Sequence, residues 1–314
     1  MTSAAPDVVA QRAVVVADAG AQTLRREPQA PGRRAARPYA GWLGVIPLLA
    51  FAAVVLGLPV AAMAAGSITT TDDAGATEFT GANFAATFDG PYLESLMGSV
   101  RLSALTAFVA TVASLPLAHA IVRSRFRGLR EAVLSASGVI ANFGGVPLAF
   151  AFVSTLGNAG VLTGFFGLAD KGWSLYTFWG MAIVYLYFLV PLMVLTLTPA
   201  LDGLKPQWRE AAQNNRATGF QYWRHVGFPI LFPTLLSGFV LLFGSAFSAY
   251  ATAAAMVGSS IPLVTVKIAS ALTGDVLVGQ AGIALALGMD MIVVAALVMG
   301  IQLLLQRRTS RWLS

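Results

Sequence analysis

The chain contains no cysteine and only two histidines, His119 and His225. Disulfides and thiolate-bound metals are therefore excluded, and a histidine-rich metal centre has too few ligands to form. Charge is also scarce: 11% of the 314 residues are Asp, Glu, Lys or Arg, against 57% hydrophobic, a balance far from that of a water-soluble domain. The Gly-rich phosphate loop of nucleotide hydrolases is missing, so no ATP site of that type is expected on this chain, and no other cofactor or metal is expected either. Clustered histidines and paired carboxylates inside apolar stretches are missing too, which argues against a membrane enzyme. No cleavable leader is expected, because most basic residues of the N-terminal region follow its weak apolar stretch "RAVVVADAG".

Apolar sequence is what the chain has in excess. A window of about 19 residues finds six runs, at approximately 42–66, 96–121, 132–156, 176–200, 230–257 and 281–305. Each is long enough to cross a hydrocarbon layer of about 30 Å at 1.5 Å per helical residue. The expected fold is an all-α membrane protein with six transmembrane helices. Its expected organisation is a mobile tail over 1–40, a membrane domain over 41–306 with a polar loop at 201–229, and a short tail at 307–314.

Charge gives the orientation. With both ends inside, seventeen of the twenty Lys and Arg residues fall on inner segments, and only Arg101, Lys171 and Lys267 lie on or near the outside. Asp72, Asp73, Glu78, Asp89, Glu94, Asp170 and Asp275 fall outside. Basic segments inside are the usual topogenic rule, so both termini and the polar loop are expected in the cytoplasm. The net charge of +6 then needs no nucleic-acid partner, and no DNA-reading motif accompanies it.

The loop, "PQWREAAQNNRATGFQYWRHVGFPILFPTL" at 206–235, is too polar for hydrocarbon and too patterned for a tether. Helix formers Glu210, Ala211 and Ala212 open it, Gly219 breaks it, and Pro229 suits the first turn of the next span. Two helical stubs around a turn make a rigid knob, and Phe220, Tyr222 and Trp223 supply surface of the kind enriched in interface cores. An amphipathic loop lying on headgroups, anchored by Trp223 and Arg224, is the alternative.

"EAAQNNRATGFQYWRHVGFPILFP" resembles the EAA loop of permease subunits of binding-protein-dependent ABC importers. Glu210, Ala211 and Ala212 match the opening of that pattern, and Pro229 stands nineteen residues after Glu210, where the family has its proline. "YLESLMGSVRLSALTAFVATVASLPLAHAIVRSRFRG" is similar to the second span of these permeases, and "VYLYFLVPLMVLTLTPALDGLKPQWREAA" to the fourth. The resemblance implies the six-span, MetI-like type I architecture, in a bacterial cytoplasmic membrane. It further implies that Glu210, Ala211, Ala212, Arg216, Gly219, Phe220, Tyr222, Trp223 and Pro229 couple the chain to an ATPase dimer, which would bind ATP and Mg. A second permease subunit, an extracytoplasmic solute-binding protein and membrane lipid are the other partners implied. Within the superfamily the chain looks closest to spermidine/putrescine-type permeases, so the implied cargo is a polyamine or a related solute such as an aminoalkylphosphonate. Asn215-Arg216, where sugar permeases carry Asp-Gly, argues against a sugar. Arg216 is also the one departure from the pattern, because the family has glycine there. Either the turn moves to Gly219, or Arg216 adopts a backbone suited to glycine at some cost.

Polar or helix-breaking residues inside spans are the pathway candidates. Asn142 and Pro147, with Gly144 and Gly145, interrupt the third run, as a kink packed on a neighbour or as a wall of the path. Ser245 and Tyr250, near Ser248 and Thr252, sit in a fifth run whose small residues suit close helix packing or a polar lining. Asp290 is the one formal charge deep in an apolar run, at an insertion cost of about 2.5–3.5 kcal/mol. It either faces a cationic cargo or serves packing. A secondary transporter, the competing class, calls for paired broken helices and an inverted repeat, and no convincing internal repeat is found.

Overall fold

The computed structural model describes residues 40–71, 77–256, 261–273 and 281–310. Of the tail expected over residues 1–40, residues 1–39 lie outside them, as do 311–314. The N-terminal unit, up to Pro59, holds helix α1 (Ala40–Ala52) and a π turn (Ala53–Gly57). The helix resumes as α2 (Leu58–Ser67), and Val45–Ser67 is apolar and long enough to span a membrane.

In the larger unit, α2 leads to a small antiparallel hairpin, β1 (Thr69–Thr71) with β2 (Thr77–Phe79), in which Thr70 pairs with Glu78. Helix α3 (Ala82–Thr87) is tied under it by the Asn83 amide, which donates to the carbonyls of Ser67 and Thr69, both at 3.1 Å. Then come α4 (Gly90–Arg123), α5 (Arg127–Asn142), α6 (Gly145–Leu156), α7 (Val161–Phe165) and α8 (Phe178–Asp202). After the polar loop follow α11 (Phe228–Phe247), α12 (Ala251–Met256), α13 (Val264–Thr273) and α14 (Ala281–Ser310). The loop itself holds α9 (Pro206–Asn214), α10 (Gly219–Tyr222) and a second π turn (Trp223–Gly227). Among the described residues, six helical segments are long and apolar enough to cross a membrane, which gives the helical, six-span membrane fold expected, with one small hairpin added.

The core is built on α8, whose Met181, Tyr185, Leu189, Met193 and Leu197 recur at the helical period and are fully buried. Helix α4 meets it with small residues, Ser103, Ala107, Ala110 and Ser114. Inside lipid no hydrophobic force drives helices together, so close approach of small residues and hydrogen bonds between helices take over. Ser114 accordingly donates to the Val190 carbonyl at 3.0 Å, and Gly238 of α11 lies directly on the Met193 thioether. The same logic joins α2 to α14, where Gly66 faces Leu285 and Gly288 faces Met63.

Two apolar runs that read as single spans are interrupted. The third breaks at Phe143-Gly144 into the amphipathic α5, packed on α8, and the apolar α6, because Gly145 takes a φ of 71° that ends helix continuity. Pro147 thus sits in the first turn of α6, where its missing N–H is harmless. The membrane-length segment begins at Gly145 and runs to Phe165, not from 132 to 156. The fifth run breaks at Ser248–Tyr250, between α11 and α12. Helices α6 and α12 pack on each other, and one side chain joins them: Thr252 Oγ1 accepts from the Gly145 N–H at 2.9 Å and lies 3.3 Å from the Gly145 carbonyl. The Tyr185 hydroxyl donates to the Ala249 carbonyl at 3.1 Å, satisfying backbone that the break leaves unpaired.

Candidate functional site

The polar loop is built as a rigid unit. Helix α9 ends in a complete Schellman motif: the Ala217 N–H bonds to the Ala212 carbonyl at 3.0 Å and the Arg216 N–H to the Gln213 carbonyl at 2.9 Å. That motif needs a left-handed residue at its centre, and Arg216 supplies it with φ 56°, the one positive φ outside glycine among the described residues. Thr218 then opens α10 through a capping box. Its hydroxyl accepts from the Gln221 N–H at 3.3 Å, and its own N–H donates to the Gln221 amide oxygen at 2.7 Å. Gly219 is the first residue of α10, so the turn lies at Arg216.

From α10 the chain runs without interruption through the π turn into α11. The Phe228 N–H reaches the Trp223 carbonyl, five residues back. Widening the helix there accommodates Pro229, which lacks the N–H a regular turn would use. The same pairing occurs upstream, where the Ala53–Gly57 turn precedes Pro59. Gly227 lies under the Trp223 ring, so close that a Cβ would stand 2.8 Å from it.

The residues proposed for coupling divide into two faces. Glu210, Ala211, Arg216, Gly219, Phe220 and Pro229 are exposed, Phe220 by 74%. Ala212 is half-buried, while Tyr222 and Trp223 turn inward. Trp223 meets His119 of α4 edge to face, with ring centroids 5.0 Å apart. Asp202, at the end of α8, pairs with Arg130 of α5 and ties that end down. Between the loop and the ends of α4 and α8 lies a cavity of about 410 Å³, with Arg123, Lys205 and Arg209 in its wall. At the opposite end of α4 a larger cavity of about 790 Å³ is lined by Glu94, Met97, Arg101, Tyr176 and Thr177.

The five pathway candidates do not converge. Asn142 is exposed at the end of α5, its amide donating to the Gly138 carbonyl at 2.8 Å, and Pro147 is exposed on α6. Tyr250 is exposed in the break before α12. Ser245 lines a separate groove between α11 and α14, with Ser237 and Gln302. Asp290 is 8% exposed, and its Oδ2 finds no partner among the described residues. It lies where α14 packs on α3, away from both cavities. At the end opposite the loop, Trp173 donates to the Leu156 carbonyl at 3.2 Å, while Trp179 is exposed.

Several residues that organise these features were not singled out by the sequence. Arg101 passed as a stray outer charge, although its spacing of seven from Glu94 already puts both on one helix face. The Trp223–His119 contact joins residues more than a hundred positions apart and leaves no local signal. The Ser237 hydroxyl accepts from the amides of Gln302 at 3.1 Å and Gln306 at 2.7 Å, a polar cluster inside two spans that hydropathy averages hide.

The family model described as "Binding-protein-dependent transport system inner membrane component" matches residues 148–311, just over half of the chain, including α8, the loop, α11 and α14. The chain belongs to this family. Among relatives of this inner membrane component is the sulfate transport system permease protein CysT of Salmonella typhimurium, 31% identical over 157 residues, covering 47% of this chain and 54% of that protein. The ferric transport system permease protein FbpB of Actinobacillus pleuropneumoniae is 35% identical over 92 residues, covering 28% and 13% respectively. The maltose/maltodextrin permease protein MalG of Vibrio vulnificus is 28% identical over 153 residues, covering 49% of each chain. The chain thus spans about half the length of such relatives, or less. A solved bacterial ABC transporter involved in import of the polysaccharide alginate shares the fold, with a TM-score of 0.66, 17% identity, and coverage of 87% of this chain and 96% of that one. In a second structure of an alginate transporter, in complex with an alginate pentasaccharide-bound periplasmic protein, the TM-score is 0.68 at 18% identity, covering 87% and 95%.

Proposed function

We propose that this inner membrane component is the membrane-spanning permease subunit of an ATP-driven importer of a small polar solute. The observation that carries the reading is the loop, a knob fixed by a Schellman turn and a capping box, with Glu210 and Phe220 on its outer face. A flexible headgroup anchor needs no such double closure, whereas a docking element moved by a partner does. The loop then faces the cytoplasm with both termini, as the basic-inside rule requires. An ATPase dimer, binding ATP and Mg, seats the knob. A second permease subunit, identical or paralogous, completes the pore, and an extracytoplasmic binding protein delivers the solute.

The mechanism follows from continuity. The knob passes without a break into α11, and Trp223 bears on His119 of α4, so displacement of the knob moves two core helices together. ATP-driven closure of the partner biases the spans between outward- and inward-facing arrangements by differential binding. A polyamine-type cargo remains the specific candidate, supported by the chain's resemblance to spermidine/putrescine-type permeases. The burial of Asp290 takes away the carboxylate expected to attract it, so that candidate stands on the resemblance alone. Paired broken helices, a feature of secondary transporters, are present in α5–α6 and α11–α12, but family membership favours the ATP-driven class.

Reconstitution in liposomes with the ATPase, second permease and binding protein tests the reading. ATP-dependent uptake is expected, with loss on Phe220→Ala through failure to retain the ATPase. Uptake by this chain without any ATPase overturns it. Binding of polyamines, aminoalkylphosphonates and other polar solutes to the binding protein identifies the cargo.

A further inference from the structure

The cavity beneath the loop has no part in the scheme above, and its chemistry is one-sided. Arg123, the last residue of α4, meets Lys205 and Arg209 from the start of the loop around a space of about 410 Å³. Among the described residues, no carboxylate lines this space. None of the three cations forms a salt bridge among the described residues, and the nearby Asp202 is committed to Arg130. These three like charges, each exposed to solvent, face one open-sided space and repel one another, and an anion between them relieves that repulsion. The remaining wall holds the His119 imidazole beside aromatic and apolar residues, among them Tyr222, Trp223 and Leu201.

Location narrows the anion. The cavity sits at the ends of two spanning helices, α4 and α8, where hydrocarbon gives way to phospholipid headgroups. Aromatic and basic side chains together suit that boundary, and basic pockets between spans are built for anionic headgroups. Arginine guanidinium groups match phosphate oxygens in bidentate fashion. A space of this size also exceeds what a lone phosphate ion fills.

We propose that this cavity binds the phosphate of an anionic phospholipid, with Arg123, Lys205 and Arg209 on the phosphate and the Tyr222–Trp223 wall against the glycerol region. A lipid held there touches α4 and both stubs of the loop, so it stiffens the junction that carries the knob's motion. The inference depends on the helices lying in a bilayer and is independent of the cargo.

The test uses the purified full-length chain and native mass spectrometry to follow retained lipid. Phosphatidylglycerol is compared with phosphatidylcholine of the same acyl chains, with inorganic phosphate as competitor. Wild type and a control triple variant, R125Q/R127Q/R224Q, are expected to retain phosphatidylglycerol in preference to phosphatidylcholine. The cavity variant R123Q/K205Q/R209Q is expected to bind it about a hundredfold more weakly, at roughly fivefold per charge removed. Equal loss in both triple variants indicates diffuse surface charge and overturns the proposal. Displacement of the lipid by inorganic phosphate at equimolar level indicates a free-ion site and overturns it as well. No preference for phosphatidylglycerol in wild type also overturns it, leaving the cations to a carboxylate of a protein partner. Should the cavity variant fail to fold, a photoactivatable phosphatidylglycerol headgroup analogue on wild type decides: labelling is expected on peptides containing Arg123, Lys205 or Arg209, and labelling only elsewhere overturns the site.

Discussion

Arg216 occupies a backbone region that L-residues enter at a cost of roughly 1–2 kcal/mol, and it does so because the Schellman bonds at Ala217 and Arg216 demand it. Arg216→Gly is therefore expected to raise stability by about 1 kcal/mol, and Arg216→Val to lower it, both read as shifts in thermal unfolding of the purified chain. The sequence left Arg216 and Gly219 open as the turn residue, yet it held the deciding signal. "TGFQ" is a capping box, and a box beginning at Thr218 makes Gly219 the first helical residue and pushes the turn upstream. Thr252 behaves differently, since nothing local distinguishes it from the other small polar residues of its run. Thr252→Val leaves the Gly145 N–H without its partner and is expected to cost about 1–3 kcal/mol. Thr252→Ser keeps the hydroxyl and is expected to cost less than half of that in the same unfolding measurement.

At the scale of elements, the π turn and Trp223 join the loop to the spans at two points, one covalent and one by packing against His119. Trp223→Ala removes the second. ATP-driven uptake is expected to fall by about 5–150-fold, the range of typical coupling energies, while ATPase association measured by co-purification stays unchanged because Phe220 and Glu210 still face outward. Loss of association together with uptake would place Trp223 in the interface itself. The loop's two stubs were legible because caps, glycine and proline act locally. The interruptions of the third and fifth runs were not, because a hydropathy window averages over Gly145 and registers only apolar content. "NFGGVP" and "SAYA" carry the break, and the first contains the Gly-Gly and Pro punctuation that normally marks a turn. Short helices α3 and α13 fell between windows for the same reason.

For the molecule as a whole, six spans and a polar loop followed from composition, since hydrocarbon leaves few alternatives to a helix. The residues of a transport path did not, because facing a path depends on which helices meet. Asp290 illustrates this: an intramembrane charge suggests function by default, and here it is buried where α14 meets α3. Asp290→Asn, which keeps the side chain's shape, is expected to leave uptake unchanged in the reconstituted transporter. A collapse of uptake with normal assembly would return Asp290 to the path. Helix α4, by contrast, runs unbroken for 34 residues and touches a cavity at each end. Glu94 and Arg123 are 29 residues apart on it, about 44 Å at 1.5 Å per residue. Pivoting such a rod by about 5° shifts one end relative to the other by roughly 4 Å, more than the length of a hydrogen bond. The cavity at the Glu94 end can therefore change its shape while every helix in the bundle stays folded and only a small angle changes at the loop end.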